Sequence, residues 1–122
     1  MRLRRPEDFR RVWSEGRSWA HPLFILWGRP NALSHTRVGI TASRKVGGAV
    51  ARNRARRLLR EAARHLYSDT ADGWDIVLVA RSMILDASEG QVEAGLKLAL
   101  DRAQLLRAQS PFLGASASQP EV

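Results

Sequence analysis

Arginine gathers between residues 44 and 64 in a pattern suited to gripping phosphate. The stretch holds eight of the chain's twenty Lys and Arg residues (Arg44, Lys45, Arg52, Arg54, Arg56, Arg57, Arg60 and Arg64) and a single acid, Glu61. Guanidinium groups are planar, permanently charged forks that match phosphate oxygens. A solvated helix face normally mixes charge signs through pairs four residues apart, and Glu61 alone cannot do that here. The pattern therefore favours a phosphate polymer over a merely solvated surface.

The elements that would position these groups follow from the surrounding residues. After the Gly47-Gly48 turn, Ala, Leu and Arg predominate without proline, which predicts a helix. At about 100° per residue, Ala51, Ala55, Leu58, Leu59, Ala62 and Leu66 fall on one side. Arg52, Asn53, Arg56, Arg57, Arg60 and Arg64 fall on the other, with Arg54 near the seam. Two glycines ahead of a helix N-terminus could let backbone N–H groups approach a phosphate. The spacing is not that of a Walker loop.

Ahead of this unit, Arg2-Leu3-Arg4-Arg5 forms a short basic arm. Pro6, Glu7 and Asp8 suit the start of a helix. Phe9, Val12 and Trp13 recur at helical spacing, and Gly16 ends the run. Ser18 to Ala20 predicts a short strand and Leu23 to Trp27 a better one. Gly28 to Ser34 looks like a hairpin-type connection. Arg37 to Ala42 is a third strand, with Val38, Ile40 and Ala42 on one face and Thr41 on the other.

Beyond the basic helix, Asp69, Asp72 and Asp75 read as an acidic patch in a loop, a weak candidate for a metal, with Trp74 capping the core. Asp75 to Ala80 is the most continuous apolar run, as in a strand buried on both faces. Ser88 and Gln91 resemble a capping box. Val92, Leu96, Ala99, Leu100, Ala103 and Leu106 then trace a helix face to about Arg107. The expected organisation is one domain over residues 1–107 and a disordered Ser/Ala/Pro-rich tail over 108–122. Its fold class is α/β, an α+β two-layer sandwich ordered helix, two to three strands, basic helix, buried strand, helix.

Composition narrows the function classes. A net charge of +8 and a pI near 11.5 call for an anionic partner. No apolar run approaches the ~18–20 residues that span a bilayer, and the N-terminus lacks the apolar stretch of a signal peptide. The absence of cysteine excludes a disulfide framework, a zinc finger and a thiol nucleophile. Together these point to the cytoplasm. His21, His35 and His65 are scattered, and neither HExxH nor GxSxG occurs, so no catalytic residue and no protein metal ligand is assigned.

The stretch from Arg37 to Ala62, with Arg52-Asn53-Arg54 at its centre, resembles the protein component of bacterial ribonuclease P. Arg2 to Phe9, Val12-Trp13, Gly16-Arg17-Ser18 and Asp75 to Arg81 support it in the right order, so the similarity spans Arg2 to Leu106. Trp13 and Trp27 stand where smaller aromatics are common in that family, Arg44 where lysine is, and Pro6 where a polar residue is.

The resemblance implies a left-handed crossover of the basic helix between parallel strands, whereas general rules predict a right-handed one. It implies a ribonucleoprotein that removes the 5′ leader of precursor tRNA, with the RNA subunit performing hydrolysis using Mg²⁺ bound mainly by that RNA and the substrate. Arg44, Lys45, Arg52, Asn53, Arg54, Arg56, Arg57 and Arg60 would contact the RNA subunit. Phe9, Trp13 and Trp27 would receive the single-stranded leader, since base faces stack on aromatic rings with little sequence demand. Two alternatives remain open at this point. One is a non-enzymatic structural RNA-binding protein of ribosomal or assembly type. The other is a major-groove DNA reader, disfavoured because Asn53 is nearly the only short polar side chain on the basic face.

Overall fold

The computed structural model describes residues 2–107, and the tail expected over 108–122 lies outside them. In chain order the elements are α1 (Pro6–Glu15), β1 (Arg17–Ala20), β2 (Phe24–Pro30), β3 (Arg37–Thr41), α2 (Ala49–Leu66), β4 (Trp74–Ala80) and α3 (Glu89–Arg102). Short 3₁₀ turns follow α2 at Tyr67–Asp69 and β4 at Ser82–Asp86. The strands form one sheet in the order β1-β2-β4-β3, with β3 and β4 parallel and the other pairs antiparallel.

The expected hairpin over Gly28 to Ser34 does not form. β2 runs on through Arg29 and Pro30, and β4 lies between β2 and β3. Local turn chemistry marked a reversal correctly but could not show that a later strand would insert there. Proline is tolerated at Pro30 because it is the last residue of β2.

Strand alternation separates two apolar layers. Phe24, Leu26, Ile76, Leu78 and Ala80 meet Leu58, Leu59 and Ala62 of α2 and Val92, Leu96 and Leu100 of α3 in the main core. On the opposite face, Val77 packs with Val12 of α1 and with Leu3, flanked by Phe9, Trp27 and Val79. β4 is thus buried on both sides, as its unbroken apolar run predicts.

The β3–α2–β4 crossover is left-handed. Val38 and Ile40 face the α2 core, and the Val38 carbonyl accepts from the Leu3 N–H on the edge away from β4. An L-residue in a strand running upward, with its side chain toward the viewer, directs its N–H and C=O to the viewer's right. Seen from the α2 side, the N-terminal arm is therefore right of β3 and β4 is left, the reverse of the usual displacement. The arm itself is docked, with Leu3 buried and Arg2 bridged to Val38.

α3 starts at the expected capping box, in which the Gln91 N–H donates to Ser88 Oγ and the Ser88 N–H to Gln91 Oε1. It ends at Arg102 rather than Arg107, because Gln104 turns left-handed (φ 60°) and reverses the chain. Leu105, not Leu106, is therefore fully buried, while Leu106 bridges to Thr70.

Candidate RNA-binding surfaces

The basic helix buries the stripe Ala55, Leu58, Leu59, Ala62 and Leu66. Ala51 is only half-buried and Val50 is 85% exposed, so the first turn stands clear of the core. The buried stripe is consequently centred further along the helix than expected. Arg52 and Arg56 lie half-buried on one flank, whereas Asn53, Arg54, Arg57, Arg60 and Arg64 are exposed.

Charge on this face is largely uncompensated. Glu61 is engaged by Arg64 at 2.9 Å, and that hydrogen bond, reinforced by the guanidinium charge, holds its carboxyl below the usual range. Arg56 Nη2 donates to Asn53 Oδ1 at 2.5 Å, so Asn53 orients one fork without neutralising it. Among the described residues Arg52, Arg54, Arg57 and Arg60 have no ion pair. Like charges side by side repel, and a phosphate chain removes that repulsion while releasing its own counterions.

Arg44 and Lys45 sit in the turn between β3 and α2. Buried Val46 pins this turn and the Lys45 N–H donates to Ser43 Oγ at 3.2 Å, leaving both cations exposed. Gly47 has φ 149°, a conformation that side chains rarely adopt, and a Cβ there would come within 2.8 Å of Ala51. Gly48 then caps α2 with open space around it and no acid in the first turn.

The second surface is aromatic and lies on the opposite face of the sheet. Trp13 meets Trp27 edge-on at 5.2 Å, and Phe9 lies 6.4 Å from Trp13. Val12 is the fully buried anchor of α1, leaving Trp13 39% exposed and Phe9 and Trp27 half-buried. Glycine at position 39 creates the seat for Phe9, since a Cβ there would fall 2.7 Å from its ring. Beside this aromatic line, Ile25, Val79 and Thr41 form the next row of the sheet, half-buried and leading toward the Arg44-Lys45 turn. The expected leader-binding trio is thus brought together, while the α2 arginines form a separate surface.

A polar cluster fixes α1 to the sheet, and sequence reasoning missed it. Asp75 lies in β4, as the run from Asp75 to Ala80 predicts, rather than with Asp69 and Asp72 in a loop patch, and is fully buried. The register places it directly between Arg29 of β2 and Arg37 of β3. Arg37 binds it through Nε and Nη2 at 2.8 and 2.7 Å, Asn31 Nδ2 at 2.9 Å and Arg29 at 3.3 Å. Burial raises the Asp75 pKa, but the Arg37 and Asn31 hydrogen bonds and the two positive charges outweigh it and hold the carboxyl below its ordinary value. The same arginines reach α1, Arg29 to Glu15 at 3.1 Å and Arg37 to Asp8 at 3.6 Å. Asp8 and Glu15 are seven residues apart, two helical turns along one face. That spacing was the available signal.

The other ionic and histidine contacts lie outside this cluster. Asp72 pairs with Arg107 at 3.2 Å. His21 stacks on Phe24 and accepts from the Leu23 N–H, and burial lowers its pKa, with Arg102 adding to the effect. His65 bonds Glu93 at 2.7 Å, tying α2 to α3.

Comparison with known proteins places these surfaces in context. The family model described as Ribonuclease P matches residues 1–104. The ribonuclease P protein component of Herpetosiphon aurantiacus is 40% identical over 104 residues, covering 85% of each chain. That of Roseiflexus sp. (strain RS-1) is 44% identical over 108 residues, covering 88% of each. The ribonuclease P protein structure from Staphylococcus aureus superposes with a TM-score of 0.78 at 31% identity, covering 87% of this chain and 97% of that one. The Thermotoga maritima structure gives 0.75 at 31%, covering 84% and 96%.

Proposed function

The chain belongs to the ribonuclease P protein component family, and on that footing we propose how its two surfaces divide the work of the enzyme. It is the protein subunit of an endoribonuclease holoenzyme and associates with the ribonuclease P RNA. These relatives support that role over the structural RNA-binding alternative. The α2 face binds the RNA subunit through Arg52, Arg54, Arg57 and Arg60, with Asn53 orienting Arg56, and Arg44 and Lys45 extend this contact across the turn. The trough of Phe9, Trp13 and Trp27 receives the 5′ leader of precursor tRNA by stacking, which suits a leader of any sequence.

One observation carries this division. An unneutralised guanidinium face and an aromatic trough occupy opposite faces of one sheet, joined by a single cationic turn. Two RNAs can be held at once without competing.

The RNA subunit carries the phosphodiester hydrolysis, with Mg²⁺ held mainly by that RNA and the substrate. Among the described residues no three His, Cys, Asp or Glu converge where a metal ion could sit. What the chain contributes is counter-charge and position. No helix among the described residues is long and apolar enough to cross a membrane. The cytoplasm, as the setting of the reaction, belongs to the proposed role in precursor-tRNA processing.

The test is cleavage of end-labelled precursor tRNA by bacterial ribonuclease P RNA at low Mg²⁺, with and without the protein. Cleavage at the mature 5′ end only when both are present is the expected outcome. Cleavage by the protein alone, or tight RNA binding with no stimulation, would refute the assignment.

A further inference from the structure

A cavity of about 380 Å³ opens between the N-terminal arm, the outer edge of β3 and the last turns of α2. That is near the lower end of the ~300–1,000 Å³ range of small-ligand sites. Its floor is apolar, made by Val38, Ile40 and Ala63, and Leu3 of the arm closes its edge. Its rim is cationic, made by Arg2, Arg60 and Arg64.

The floor also offers hydrogen bonds. Val38 and Ile40 point the same way along β3, and Val38 spends its carbonyl on Leu3. Ile40, two residues on, turns its N–H and C=O to the same outer edge, where no described group pairs with them. An adjacent donor and acceptor above an apolar floor suit the edge and face of a nucleobase. They do not suit an added peptide strand, because the arm already occupies the Val38 position and β3 ends at Thr41.

We propose that this cavity receives one unstacked base of the ribonuclease P RNA. The inference rests on the RNA-binding role of α2 proposed above. Arg52, Arg56 and Arg60 follow one another every four residues on the flank that borders β3, about 6 Å apart along the axis. RNA tracking this row arrives at Arg60, which forms part of the cavity rim. There Arg60 and Arg2 hold the backbone phosphates while the base enters against Ile40, Val38 and Ala63. Proteins commonly take hold of RNA through bases splayed from their stack in this way. The occupant comes from the RNA subunit and not the leader, because the leader trough lies across the sheet.

The full, methyl-labelled chain titrated with bacterial ribonuclease P RNA tests this. Val38 and Ile40 methyl resonances are expected to move upfield under the ring current of the base, and the Ile40 amide to become protected from exchange. Ala63→Phe fills the cavity with carbon. It is expected to remove those shifts and weaken RNA binding about tenfold, the scale of one base contact, while the exposed Val50 methyls on α2 still respond. A response at Val50 with none at Val38 and Ile40 in the wild-type chain overturns the base pocket and leaves the RNA-binding face standing. No response at either overturns both. Shifts that appear only with precursor tRNA, or an Ile40 amide already protected in the free chain, also overturn it. Because the ring-current shifts are read on the wild-type chain, a variant that fails to fold leaves the test intact.

Discussion

Replacing Asp75 with asparagine keeps the shape of the buried side chain and removes its charge. In the wild-type chain that carboxylate accepts two N–H groups of Arg37, one of Arg29 and one of Asn31. The variant leaves two guanidinium groups facing each other across β4 with no anion between them. Removing one member of a fully buried pair costs about 3–5 kcal/mol. Here the Arg29 and Arg37 side chains retain 17% and 23% exposure, so water screens part of the loss. A cost of about 3 kcal/mol follows, or roughly 12–20 °C in Tm for a domain of this size. Urea and thermal unfolding of the free protein measure it directly.

Acid supplies a second reading of the same group. Its folded pKa lies below the unfolded value, so the unfolded chain binds the proton first as pH falls. The stabilisation is present above the unfolded pKa of about 4, and is lost as pH drops through the folded one. Wild-type stability should therefore fall more steeply than that of the asparagine variant below about pH 4. A variant within about 1 kcal/mol of wild type, with an unchanged acid profile, would refute the reasoning by showing that solvent already screens the cluster.

Four further outcomes are expected. Arg54→Ala and Arg57→Ala should each weaken RNA-subunit binding and flatten its salt dependence by roughly 0.7–0.9 units of log–log slope; an unchanged slope means no phosphate contact. Asn53→Ala should weaken the same binding through the released Arg56 fork, with no further loss when Arg56→Ala is added. Leu58→Asp should unfold the domain, since it forces a charge into the main core, and a cooperatively folded variant by circular dichroism would contradict the helix orientation. Trp27→Ala should weaken leader-bearing substrate by about 1–3 kcal/mol relative to mature tRNA; equal losses on both would place the leader elsewhere.

Legibility varied with how local the cause was. The basic helix, its buried stripe and the α3 capping box were readable because each depends on residues three or four apart. The aromatic positions were readable from spacing only as types, and their convergence was expected only from the family resemblance. Phe9 and Trp27 are far apart in sequence and are joined through Trp13 only because α1 crosses the sheet above Gly39. Asp75 was legible as the start of the strand, yet it also looked like a loop acid alongside Asp69 and Asp72. Only its two arginine neighbours in the sheet make a buried strand position tolerable.

By itself, then, the sequence determined that an arginine face exists, that it rides on a helix with one buried side, and that one strand is buried twice. These are consequences of periodicity and charge. Tertiary structure decided that β4 inserts between β2 and β3, that Asp75 ties both ends of α1 to the sheet, and that the crossover is left-handed, which only the family resemblance had led us to expect. It also opened a cavity where the arm stops short along β3. Each of these is a pairing between distant segments, and the free energy of such pairings is set by which strands become neighbours, which no local pattern records.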